Sequence, residues 1–196
     1  MPYVIGLTGN IACGKSTVAA MLRELGAEII DADKVAHTVM APDGRAYEPV
    51  VQAFGPEIVA ADGTIDRRKL GAIVFADPAK LRLLDRLVHP HTTTAIRAMI
   101  TCSSAKVIVV EAIKLIEAGT YQVCDSVWVV ACEPTQHVER LMAGRGLSRE
   151  ESEKRVRAQS PTAEKLPFAT VVIDTTTTVE ETRRQVLDAW RRLVSQ

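Results

Sequence analysis

Near the start of the chain, Gly9-Asn10-Ile11-Ala12-Cys13-Gly14-Lys15-Ser16 fits the pattern G-x-x-x-x-G-K-[ST]. The chemistry this spacing suits is the binding and transfer of phosphate. The glycines let the backbone turn tightly, so that its N–H groups converge on phosphate oxygens at the positive end of the following helix. Lys15 then reaches the β- and γ-phosphates. The Ser16 hydroxyl suits Mg²⁺, a hard cation that takes oxygen ligands and keeps several waters. Thr17 is a further phosphate-side candidate. A Gly-rich turn with an exposed lysine is the plain alternative, and the strand-loop-helix setting weighs against it.

Asp31-Ala32-Asp33 offers carboxylates at the end of a predicted second strand, the carboxyl edge where ligands of open α/β sheets collect. In extended geometry both would face one way. One could take the proton of an attacking hydroxyl while the other orders metal-bound water. Helix N-capping is the competing reading, and the two readings can hold for different members of the pair. A basic stretch supplies the third component: Arg140, Arg145, Arg149, Lys154, Arg155 and Arg157. An arginine swung over a transferring phosphoryl group stabilises its charge, and Arg140, just after a predicted strand, is the preferred candidate. A solvated basic face is the alternative for each of the others.

These residues need elements to hold them. Residues 3–7 form a predicted buried strand, and residues 16–25 a helix ended by Gly26. Further strands are expected at 28–30, 106–110, 126–130 and 170–173, separated by helical patterns. The expected fold is α/β, a three-layer P-loop NTPase type with a mainly parallel central sheet, a helical acceptor-binding insertion and a helical lid. The core comprises 1–34 and 101–196, the insertion 35–100 and the lid 134–160. Helices in the insertion are predicted at 46–54, 67–75, 78–87 and 91–99, the last two separated by Pro90. A closing helix at 179–194 carries an apolar stripe of Val179, Val186, Ala189, Trp190 and Leu193.

Composition narrows the class. The 196 residues are 47% hydrophobic and 24% charged, a globular balance. Lysine plus arginine equals aspartate plus glutamate, so no net positive field draws the chain to nucleic acid. No run approaches a bilayer span, and residues 3–7 lack a basic leader, so a cytoplasmic protein without membrane partners is expected. Cys13, Cys102, Cys124 and Cys132 form no C-x-x-C pair. A guanine-specific switch would need an N-K-x-D motif, and the only asparagine is Asn10 within the loop itself.

Taken in order, the motifs resemble the dephospho-CoA kinase family almost end to end. They include Ile5-Gly-Leu-Thr-Gly9, Gly14-Lys-Ser-Thr17, Ile30-Asp-Ala-Asp33, Phe54-Gly-Pro-Glu57, Asp62-Gly-Thr-Ile-Asp-Arg67 and Phe75-Ala-Asp-Pro78. His89-Pro90, Glu117-Ala-Gly119, Glu139-Arg-Leu-Met142, Gly146-Leu-Ser148, Ala158-Gln159 and Val172-Ile-Asp174 continue the match. The resemblance implies transfer of the ATP γ-phosphoryl group to the ribose 3′-hydroxyl of dephospho-CoA, with Mg²⁺, by a monomer or small homo-oligomer. It implies that Asp33 orients or deprotonates that hydroxyl, that Lys15 and Arg140 stabilise the moving group, and that His89 lies on the acceptor side.

Three departures stand out. Ala12-Cys13 replaces the usual Gly-Ser, which backbone cradling should tolerate; Cys13 becomes an oxidation-sensitive point if exposed. Lys114 stands in Ile113-Lys-Leu-Ile-Glu117 where the family has Pro-Leu-Leu-Phe-Glu; an acceptor or donor phosphate is the preferred partner, and extension to solvent is the alternative. No glycine follows Asp174-Thr175 near the expected adenine site. Glu111 is a second-tier metal candidate at the end of an apolar run.

Overall fold

The computed structural model describes residues 1–195, apart from the side chain of Arg145. The chain runs β1 (Tyr3–Thr8), α1 (Lys15–Glu24) and β2 (Glu28–Asp31), then α2 (Ala32–Val39), α3 (Tyr47–Phe54), α4 (Arg67–Ala76) and α5 (Pro78–Cys102). It continues through β3 (Val107–Glu111), β4 (Ser126–Ala131), α6 (Pro134–Arg145), α7 (Arg149–Arg157), α8 (Thr162–Lys165), β5 (Val171–Asp174) and α9 (Val179–Val194). It divides into two compact units: Met1–Ile30 with the chain from Ser104 onward, and Asp31–Ser103.

In the first unit the five strands lie in the order β2-β3-β1-β4-β5. β1 pairs in parallel with β3 and β4, Leu7 facing Glu111 on one side and Trp128 on the other, and β4 pairs in parallel with β5. The near-continuous apolar runs suit strands covered on both faces. Ile5, Leu7, Val109, Trp128, Val130 and Ile173 join Val18 and Leu22 of α1 and Val186 of α9 in one core. The central β1 is also where the strand order reverses, so its C-terminal end opens on the crevice where α/β folds take ligands.

The last helix matches its predicted bounds, but its stripe begins later. Val179 is exposed, and the inward place one turn on belongs to Thr182, whose hydroxyl donates to Thr178 O at 3.0 Å. Ser148 and Thr178 cap α7 and α9 by accepting from the N–H of Glu151 and Glu181, the third residue of each helix.

The second unit is helical, with one antiparallel bridge between Val59 and Ile65. Its core gathers Val39, Val50, Phe54, Ile58, Leu70, Val74 and Val88. Asp66 and Asp77 cap α4 and α5. The two helices expected on either side of Pro90 are instead one, α5, running 25 residues through it. Val88, Thr92 and Ile96 are buried on a single face that straddles the proline. Burial on both sides offsets the one backbone bond that proline removes. No described helix is long and apolar enough to cross a membrane.

Candidate active site

The loop between β1 and α1 is built by backbone strain that its sequence allows. Gly9 has φ 151°, and a Cβ there would stand 2.3 Å from the Val130 carbonyl oxygen of β4. Gly14, at φ 91°, is the N-cap of α1. Between them Ala12 takes φ 59°, a left-handed conformation rare for a residue with a Cβ. The turn closes through Cys13 N–H on Asn10 O at 3.2 Å. Among the described residues, the N–H groups of Ala12, Gly14 and Ser16 donate to no protein acceptor, while that of Lys15 turns toward the Cys13 sulfur. Converging unspent amides at a helix start make an anion site. Lys15 is mostly buried beside them, at 9% exposure, while Ser16 and Thr17 are exposed.

Side chains from later in the chain hold this loop. His137 Nδ1 lies 2.6 Å from Ile11 O; a carbonyl only accepts, so Nδ1 carries the hydrogen. Its Nε2 is 3.5 Å from Cys132 Sγ, placed to accept from the thiol. Ile11 N–H donates to Gln159 Oε1 at 2.8 Å, and Asn10 Nδ2 donates to Ser160 O at 3.0 Å. Asn10 Oδ1 is buried without a partner. Thr175 Oγ1 donates to Cys13 O at 2.7 Å, and Arg140 donates to Thr175 O at 2.6 Å and to its Oγ1 at 3.2 Å. One threonine thus joins Arg140 to the phosphate loop.

Cys13 is not an exposed thiol. It is 1% exposed, and burial pushes its pKa up against the opposing pull of Lys15 and Arg140. In the basic stretch, Arg155 and Arg157 pair with Glu151 and Glu153 on exposed α7, and Arg149 and Lys154 are exposed. The Arg145 side chain lies outside the described part of the structure. The solvated-face reading holds for those four, and Arg140 stands apart from them.

Beyond β3, exposed Lys114 and half-buried Glu111 occupy the strand end and the turn after it. That turn is anchored from α8. Lys165, 2% exposed, donates from Nζ to Ile113 O at 3.2 Å and to Glu117 Oε1 at 2.5 Å. Thr8 Oγ1 donates to the same carbonyl at 3.2 Å.

The acidic pair lies in the second unit, with Asp31 extended at the end of β2 and Asp33 already helical. Asp31 is the N-cap of α2, accepting from Lys34 N–H at 3.1 Å and pairing with its ammonium at 3.4 Å. Asp33 stands in the first helical turn, exposed, with no hydrogen bond or ion pair among the described residues. The cap therefore spends one of the two carboxylates. His37, one turn beyond Asp33, has its pKa lowered by burial and then by Arg67, against the opposing pull of Asp33 and Asp31. On α5, His89 Nε2 is 3.3 Å from Asp85 Oδ1, one turn back.

A family model described as dephospho-CoA kinase matches residues 3–181. The chain belongs to the dephospho-CoA kinase family. It is 45% identical over 187 residues to the dephospho-CoA kinase of Carboxydothermus hydrogenoformans, covering 94% of this chain and 91% of that one. A solved structure from Thermus thermophilus superposes with TM-score 0.84 at 37% identity, over 97% of each chain. The Campylobacter jejuni dephospho-CoA kinase gives TM-score 0.71 at 28% identity, over 98% of each.

Within this family member, His137, Thr175 and Lys165 are site-shaping residues that sequence reasoning missed. Each acts on a main-chain carbonyl, which carries no residue-type signature.

Proposed function

We propose that the protein transfers the γ-phosphoryl group of ATP to the ribose 3′-hydroxyl of dephospho-CoA, giving CoA and ADP. Carrying this reading is the loop with three unspent amides around a mostly buried Lys15, in a chain of this family. The amides cradle the donor phosphates, and Lys15 follows the charge onto the transferring group. Arg140, held by Thr175 at the loop's flank, adds a second cation. Phosphoryl transfer asks a protein for positioning and charge stabilisation rather than covalent chemistry.

Asp33 orients the acceptor hydroxyl and takes its proton, a role supported by family resemblance and by a carboxylate not spent on a cap. His89 and Lys114 contact the acceptor. The exposed Ser16 hydroxyl at the start of α1 fits Mg²⁺, which tolerates a single protein oxygen among phosphate oxygens and waters. When bound, Mg²⁺ neutralises charge on the β- and γ-phosphates.

The test is phosphorus NMR of the product formed from ATP and dephospho-CoA, with Mg²⁺ and with excess chelator. The reading predicts a new 3′-phosphomonoester signal that chelation abolishes and added Mg²⁺ restores. A phosphomonoester at another position, or turnover indifferent to chelation, contradicts it.

A further inference from the structure

Both ends of the basic stretch close on a single residue of the phosphate loop. His137, near the start of α6 and only 4% exposed, holds the Ile11 carbonyl, while Gln159, just past α7, holds the Ile11 N–H. Ser160 reinforces the second attachment through Asn10. Between these anchors, α6 and α7 pack together, with Ser152 fully buried. We propose that Ile11 couples nucleotide occupancy of the phosphate loop to the order of residues 146–158, with His137 and Gln159 as the positioning residues. The proposal rests on the reading of residues 134–160 as the lid.

The physical argument concerns what a bound phosphate does to the loop. Donor phosphates engage the unspent amides of Ala12, Gly14 and Ser16, the first of them immediately after Ile11. They narrow the conformations open to the Ile11 peptide groups. Narrowing these fixes both attachments of the α6–α7 pair, so ordering passes outward without a new contact between phosphate and lid. Coupling of this kind is reciprocal, so loosening either attachment weakens nucleotide binding. The His137 ring is set for its part, because the Ile11 carbonyl only accepts and the hydrogen therefore sits on Nδ1, leaving Nε2 to face the Cys132 thiol.

The test uses the full chain with ADP and Mg²⁺, reading the ADP dissociation constant and amide hydrogen exchange over residues 146–158. In the parent, saturating ADP slows exchange there. Gln159→Met and His137→Leu lose that slowing even at saturation and weaken ADP binding by about five- to fiftyfold, as expected for a part-buried main-chain group left unpaired. His137→Asn, whose amide nitrogen sits where Nδ1 was, restores both. Gln159 is only half-buried, so Gln159→Met keeps the test open if His137→Leu does not fold. ADP-dependent slowing in Gln159→Met equal to that of the parent overturns the proposal, as does a parent that shows none. Loss of slowing with unchanged kcat supports the coupling and removes the lid reading instead.

Discussion

Asp33 and Lys15 carry different parts of the chemistry, so their loss should leave different kinetic marks. Asp33→Asn keeps size and removes the base, and it should lower kcat by about two to four orders of magnitude with ATP affinity nearly intact. Lys15→Ala removes a charge that acts on bound and transferring phosphate alike, and it should lower kcat/KM by about a hundred- to a thousandfold while raising the KM for ATP. Steady-state kinetics at saturating acceptor distinguishes the two; near-normal turnover in Asp33→Asn removes that residue from the mechanism. The thiols give an independent check on burial. Burial pushes Cys124 up to about 12 and Cys132 up to about 11, and raises Cys13, so all three are neutral thiols at pH 8. Alkylation of native protein at that pH, followed by mass spectrometry, should modify exposed Cys102 first, with the other three labelled only after unfolding. At this scale the sequence disclosed the residues whose types do chemistry. It did not disclose Cys13 as buried, because the fold around it brings in Thr175 from far along the chain.

Elements explain which backbone requirements are strict. Gly9 links β1 to the loop under the carbonyl of Val130, and a methyl group at 2.3 Å from that oxygen cannot be accommodated by a side-chain shift. Gly9→Ala should lower stability by about 2 kcal/mol or more, in the range of overpacking and left-handed strain, and weaken ADP binding in the same variant. Denaturant titration with and without ADP reads both. Pro90 makes the opposite case. It sits within a continuous helix whose face, Val88 to Ile96, is already buried, so Pro90→Ala should restore a backbone bond. Helix propensity outweighs the lost unfolded-state restraint, and a gain of about 1–2 kcal/mol is expected by thermal denaturation. Strand and helix positions were legible because apolar runs and periodic stripes are local signals. The continuity of α5 was not, since it depends on burial across the proline, and Val179 was misassigned because a helix-start residue need not lie on the buried face.

For the molecule as a whole, the topology explains why the helical unit and the phosphate loop can be read separately. Asp31–Ser103 takes only the last residue of β2 and returns before β3, so the sheet is otherwise complete without it. A nucleotide that binds the native first unit should therefore stabilise it by mass action, about 2.7 kcal/mol at a hundredfold excess over its dissociation constant. Fold class and family were visible in the order of motifs along the chain. The braces on Ile11, Cys13 and Ile113 were not, because they join main-chain groups to side chains more than fifty positions away. The central claim is that the acceptor is dephospho-CoA. Its most direct test is ADP release from ATP and Mg²⁺ with dephospho-CoA, adenosine, AMP or pantetheine as acceptor. The account predicts strong stimulation by dephospho-CoA alone, with CoA as product. Stimulation by another acceptor with none by dephospho-CoA would contradict it.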